Sequence, residues 1–221
     1  MKLKLIYFVF LSATLFFGCN YIHKTPSNLE SESLKNYLNY KQAFDSSLVK
    51  HFPKGFSSEI RSFSSLKDVT KQNIGFYLYE YDVNLSVLKK IRAKIEKNAI
   101  ANYRTSDTLL FVINRFENLQ TDDNGNIPKI RDSIYIDSTT FIGLYPIPNF
   151  IEYEKPTESK NSIWLPQGFD LYVLEAKSGN YFKEYDLKKN FQMPKGWKNG
   201  FSRGIAISEK DKTIIYWGVV W

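Results

Sequence analysis

Hydrophobic positions change their spacing as the chain proceeds. Residues 5–17 form an uncharged run behind Lys2 and Lys4. After a polar stretch at 20–26, Leu34, Tyr37, Leu38, Phe44 and Leu48 recur at three- and four-residue steps, the spacing of one helix face. Ser27 and Glu30 stand at the S-x-x-E spacing of a capping box and Pro53 closes the pattern, so a helix is predicted from Ser27 to about Val49. Residues 74–81 are dense in aromatics and read as a strand, with 82–84 as a turn and helix cap. A second helix, about 85–99, carries Leu85, Leu88, Ile91 and Ile95 as a core stripe. Its Lys89, Lys90, Arg92, Lys94 and Lys97 are mostly turned away from that stripe.

Beyond this helix the pattern becomes one of strands and turns. Residues 108–116 and 129–136 flank an Asp/Asn/Gly turn at 121–126, predicting one hairpin. Residues 170–176 and 181–185 flank Lys177-Ser178-Gly179-Asn180, predicting a second, and 204–208 and 213–220 flank 209–212, predicting a third. Helices early and antiparallel hairpins late give an α+β fold, N-terminal helices packed on a mainly antiparallel sheet, as one domain over 27–221. The last strand, TIIYWGVVW, is apolar at almost every position, so both its faces should be covered. Residues 145–160 hold Pro146, Pro148 and Pro156 and read as a long connection. Phe52-Pro53-Lys54-Gly55-Phe56, Leu165-Pro166-Gln167-Gly168-Phe169 and Met193-Pro194-Lys195-Gly196-Trp197 share the chemistry of a type I turn pinned by apolar groups on both sides. Their unequal spacing excludes a repeat.

Composition narrows the class. With 221 residues, 43% of them hydrophobic, the chain can bury a core, which excludes wholesale disorder. One Cys and two His exclude a disulfide scaffold and the usual structural zinc sites, so no metal is expected.

The uncharged run at 5–17 is too short to span the roughly 30 Å of a bilayer's hydrocarbon and reads as a signal-peptide core. Gly18 and Cys19 follow it, and here the chain resembles bacterial lipoproteins, whose signal closes with a small residue before a cysteine that is diacylated and becomes the mature N-terminus. The match is at Gly18 and Cys19; the chain departs from the pattern at Phe16 and Phe17, and Leu15 lies one place further out. The resemblance implies cleavage of 1–18, lipidation of Cys19, a tether over 19–26, and an exported protein held on a bacterial membrane by its acyl chains. Cleavage removes Lys2 and Lys4, lowering the net charge of +7 by two. A mildly basic exported body suits an anionic membrane surface or glycan, and export argues against nucleic acid as a partner.

Candidate chemistry is sparse. Placing Gly125 at the sixth position of a calcium loop puts Gln120 and Arg131 where acidic ligands are required, so Asp122-Asp123-Asn124-Gly125 reads as a turn. Of the two imidazoles, His23 lies in the tether and His51 ends the first predicted helix, where a cation is favoured by the dipole. No G-x-S-x-G, H-E-x-x-H or nucleotide-binding glycine loop is present, and no cofactor is expected. Glu80 with Asp82, and Glu152 with Glu154, are the carboxylate pairs a glycan hydrolase would need; on extended strands they read as solvated charges. The most distinctive stretch is MPKGWKNGFSRGI at 193–205, read as an irregular loop. Lys195, Lys198 and Arg203 supply charge there, glycines free the backbone to approach an anion, and Trp197 offers a face for a sugar or cation. The sequence therefore favours a non-catalytic binding or assembly component of the cell envelope, with a protein or glycan partner; a small envelope hydrolase with paired carboxylates is the alternative.

Overall fold

Six antiparallel strands in the order β1-β2-β6-β5-β4-β3 form the frame of the protein, seen in a computed structural model that describes residues 26–67, 73–113, 141–150, 165–190 and 193–221. In chain order the elements are α1 (Pro26–Gln42), α2 (Ser46–Val49), β1 (Ile60–Lys67), β2 (Ile74–Tyr81), α3 (Leu85–Glu96), β3 (Ala101–Arg104), β4 (Asp170–Ser178), β5 (Gly200–Ser208) and β6 (Thr213–Val220). The fold is α+β, with the N-terminal helices beside the sheet.

Strand β6 lies between β2 and β5, with Leu78 opposite Tyr216 and Gly204 opposite Trp217. Its alternate residues serve two cores. Ile214, Tyr216 and Val220 face the helices with Phe76 and Leu78, while Ile215, Trp217 and Val219 face a layer of connecting segments holding Phe150, Leu165 and Phe169. Every residue of β6 is buried, as a strand apolar on both faces requires.

On the helical side an aromatic cluster fixes α1. Tyr37 packs on Phe56, Phe63 and Phe76 with ring centroids 5.0, 5.8 and 6.0 Å apart, and its hydroxyl donates to the Pro53 carbonyl. The single helix expected over 27–49 is broken. Helix α1 stops at Gln42, and Asp45 starts α2 by accepting the Ser47 N–H at 2.8 Å, satisfying a donor that has no partner within the new helix. That break lets Leu48 approach the sheet at Gly218, whose missing side chain leaves room for the Leu48 carbonyl.

Helix α3 starts as expected, with Asn84 accepting the Ser86 N–H, and ends at Glu96 rather than 99. Leu88 and Ile95 are buried, whereas Leu85, read as part of the core stripe, is exposed. Arg92 departs from its outward-facing neighbours and reaches Asp170 at 2.6 Å and Glu209 at 3.0 Å.

Two of the expected hairpins change. The third forms, with β5 beginning at Gly200 and so taking in half of the stretch read as a loop. In the second, β4 forms but pairs with β5; residues 181–185 make no strand and instead hold a 3₁₀ turn, Lys183–Tyr185, closed by Asp186 in the left-handed region. Phe182 and Tyr185 then stack on one side at 6.0 Å, a three-residue spacing that two-residue alternation cannot give. Of the first hairpin, 114–140 lie outside the described residues; 108–113 form no strand, and Val112 makes an isolated parallel bridge to Ile147.

Candidate functional site: an aromatic cleft beside Trp197

The turn at 193–198 is held at several points. Met193 and Pro194 are buried, and the 3₁₀ turn Lys195–Trp197 closes through the Trp197 N–H donating to the Pro194 carbonyl at 2.8 Å. The Trp197 carbonyl accepts the Trp221 indole N–H at 2.7 Å, and the Lys198 carbonyl accepts the Asn190 N–H at 2.7 Å. Trp197 is half-buried, edge-on to Phe111 at 5.7 Å and stacked on Trp221 at 6.0 Å. Lys195 and Gly196 are exposed at the tip.

Facing this turn is the segment 141–145, where Gly143 has φ of +81° and the Leu144 N–H donates to the Phe141 carbonyl. Phe141 stacks on Phe111 at 4.8 Å and the Tyr145 N–H donates to the Tyr103 hydroxyl at 2.8 Å, tying the segment to the core and to β3. Ile147 continues the anchoring by exchanging backbone hydrogen bonds with Phe111 and Ile113. Between the two walls lies an open cleft of about 340 Å³, lined among others by Phe141, Tyr145, Pro194 and Trp197. That is the small end of the roughly 300–1,000 Å³ of ligand sites.

Of the four residues singled out in the sequence, Trp197 lines the cleft, Lys195 is exposed on the same turn between the lining residues Pro194 and Gly196, and Lys198 is half-buried at the end of the turn, its amine pushed down by burial. Arg203 is elsewhere. It points from β5 to the helical side of the sheet, 7% exposed, with its guanidinium on Glu175 at 2.8 Å. Glu175 also takes Lys177, and the Lys177 hydrogen bond, then the Arg203 pair, hold its carboxyl below the ordinary range. Arg203 is thus matched where it sits and separated by the sheet from Trp197. The wall residues Phe141 and Tyr145 carry no mark in the sequence, because cleft walls assembled from segments far apart in the chain leave no local spacing to read.

Two polar residues differ from their expected roles. His51 is no helix-capping cation. Its Nε2 lies 3.1 Å from the Gly204 carbonyl and 2.9 Å from the Trp217 carbonyl, and since carbonyls only accept, Nε2 carries the proton. Nδ1 is buried without a partner, and burial, then the nearby Arg203 charge, lower the imidazole to about 3. Between about 3 and the ordinary 6.5 the unfolded chain takes up a proton that the folded one refuses. The contribution of His51 to stability is therefore full above pH 6.5 and falls as the pH drops towards 3, by up to about 1.4 kcal/mol per pH unit. His51→Gln, which keeps an N–H donor, is expected to lose less stability than wild type between pH 6.5 and 4 in paired melting curves; parallel losses in the two proteins would contradict this.

Glu80 is not solvated either. It is fully buried, accepts the Ser57 N–H and hydroxyl, and has its carboxyl raised chiefly by burial. Its supposed partner Asp82 is exposed, with φ of +49°, and pairs with Lys212 at 3.1 Å. Glu152, Glu154, the 122–125 turn and Cys19 lie outside the described residues. Among the described residues no group of three His, Cys, Asp or Glu is placed to hold a metal.

No family model matches this chain. No curated protein and no solved structure matches it either. The functional reading therefore rests on the chain's own residues.

Proposed function

We propose that this protein is a lipid-anchored, non-catalytic binding component of a bacterial cell envelope, and that the cleft beside Trp197 takes an envelope glycan bearing acidic groups. The observation that carries the reading is the Trp197 indole, half-exposed at a cleft whose backbone is already fixed by Trp221, Asn190 and the Pro194 turn. A fixed aromatic anchor loses little conformational freedom on binding. The indole face suits the apolar face of a sugar ring, and the exposed Lys195 ammonium supplies charge for a carboxylate or phosphate beside it. The signal ending at Gly18-Cys19 supports export and anchoring. Among the described residues no helix is long and apolar enough to cross a membrane, and an acyl anchor needs none.

The test is affinity for purified acidic envelope polysaccharide. Trp197→Ala is expected to weaken it at least tenfold, and Lys195→Ala, which removes no packing, about threefold with a loss of salt dependence. Wild-type affinity in both variants, each confirmed folded by its melting curve, would overturn the assignment of the cleft.

A further inference from the structure

The basic side chains of α3 divide by partner. Arg92 is taken by Asp170 and Glu209. Lys89, Lys90, Lys94 and Lys97 are all exposed, and among the described residues no ion pair engages them. At about 100° per residue they fall on the arc opposite the buried Leu88 and Ile95, where the other exposed residues are Ser86 and Ala93. The one acid of the helix, Glu96, is exposed at the edge of this arc, about 20° from Lys89, and accepts the Tyr172 hydroxyl at 3.1 Å. The outer face thus carries four positive charges, with a single acid, Glu96, at its edge.

This is an unusual way to build a solvated helix. Exposed faces are stabilised when acids and bases alternate at three- and four-residue spacing; here Lys90 with Lys94, and Lys94 with Lys97, put like charges at those spacings, which destabilises the helix. The arrangement loses that cost when a negative surface meets it.

We propose that the outer face of α3 docks on the surface of an anionic lipid bilayer. Three observations favour a bilayer over another occupant. The charges lie along one side of a 12-residue helix, suiting an extended anionic surface more than a single acidic group. Helices α1 and α3 pack on the same side of the sheet, through Tyr37 and through Leu88 and Ile95, so the layer that holds the first described helix is the layer that carries the lysines. The stretch between Cys19 and Pro26 can extend at most roughly 25 Å, which keeps the start of α1 within that distance of an anchor at Cys19. The last point rests on the anchored reading of Cys19; the charge argument does not.

The experiment uses the full protein purified from its membranes, mixed with vesicles of phosphatidylcholine alone or with a third of the lipid replaced by phosphatidylglycerol, and reads amine labelling residue by residue. Labelling of Lys89, Lys90, Lys94 and Lys97 is expected to fall about fivefold on the anionic vesicles and to recover at high salt. Lys195, on the other side of the sheet, should label equally on both. Replacing the four lysines by Gln, in a protein that melts as wild type, should remove the preference for anionic vesicles. Equal labelling on the two vesicle types, or an unchanged preference in the Gln variant, would overturn the proposal. So would protection by a soluble acidic protein and none on vesicles. Flotation on phosphatidylcholine alone, with Cys19→Ala beside it, reports the anchor separately: its loss in wild type sinks the anchored reading and leaves the lysine result standing.

Discussion

Deleting Val219, Val220 and Trp221 is expected to abolish cooperative folding. The three residues are 3%, 4% and 1% exposed, and they close β6 at the centre of the sheet. Val219 and Val220 pair with Gly75 and Ile74 on one side and with Ser202 and Phe201 on the other. Trp221 exchanges backbone hydrogen bonds with Gly200, and its indole holds the Trp197 carbonyl. Removing one buried Trp side chain alone costs about 3–5 kcal/mol, and the whole stability of a domain is about 5–15 kcal/mol, so the truncation removes most or all of it. Thermal melting followed by near-ultraviolet circular dichroism checks this: the truncated chain should show no cooperative transition, and a wild-type melting curve would contradict the burial described.

Gly204→Ala is expected to have the second-largest effect. A Cβ at Gly204 would overlap the backbone carbonyl of Tyr172 in β4 and the ring of Trp217 in β6. The indole could turn only by giving up its place against Phe150, 5.4 Å away, and its N–H bond to the Ser202 hydroxyl. The Tyr172 carbonyl is backbone and can retreat only if β4 and β5 separate. Overpacking of a tight core costs about 1–3 kcal/mol, and a clash with backbone belongs at or above the top of that range. Denaturant unfolding should show about 3 kcal/mol or more lost, against about 0.5 kcal/mol or less for Gly55→Ala, where nothing lies within 4 Å of the added carbon. Equal losses in the two variants would show that the close approach at Gly204 does not exist.

Strands and glycines together show how far the sequence could be read. Strand β2 was legible to the residue, Ile74–Tyr81, because a run of aromatics bounded by a turn and the Asn84 cap leaves few alternatives. The burial of β6 was legible because no polar side chain interrupts it. Glycines 200 and 204 misled, since they suggest a loop; in the structure they lie within β5 and leave space for the rings of Trp221 and Trp217, an interstrand fit with no signature along the chain. Strand β1 left no trace either, because an edge strand written IRSFSSLK is too polar to show alternation. The helix break at 43–45 was hidden by Leu48, which continues the helical spacing of α1 although Asp45 restarts the helix.

The site was half legible. Trp197 and Lys195 were marked because a turn rich in Gly, Lys and Trp concentrates binding chemistry in a few neighbouring positions. Arg203 does not join them: within β5 alternate residues face opposite sides of the sheet, and Arg203 shares the face of Phe201 and Ile205, the helical side, where Glu175 takes it. His51 and Glu80 were misread for one shared reason. Each is buried by contacts made far along the chain, with Gly204 and Trp217 for His51 and with Ser57 for Glu80, and a sequence shows charge type but not solvent access.

The central claim, that the cleft beside Trp197 is a ligand site, is tested most directly by following tryptophan indole N–H resonances while acidic envelope oligosaccharide is added. The Trp197 signal and the backbone amides of 141–145 and 195–198 should shift together and saturate, with the Trp217 indole, buried behind Phe150, unchanged. No saturable shift at Trp197 with any envelope glycan fraction, or shifts confined to another surface, would contradict the account.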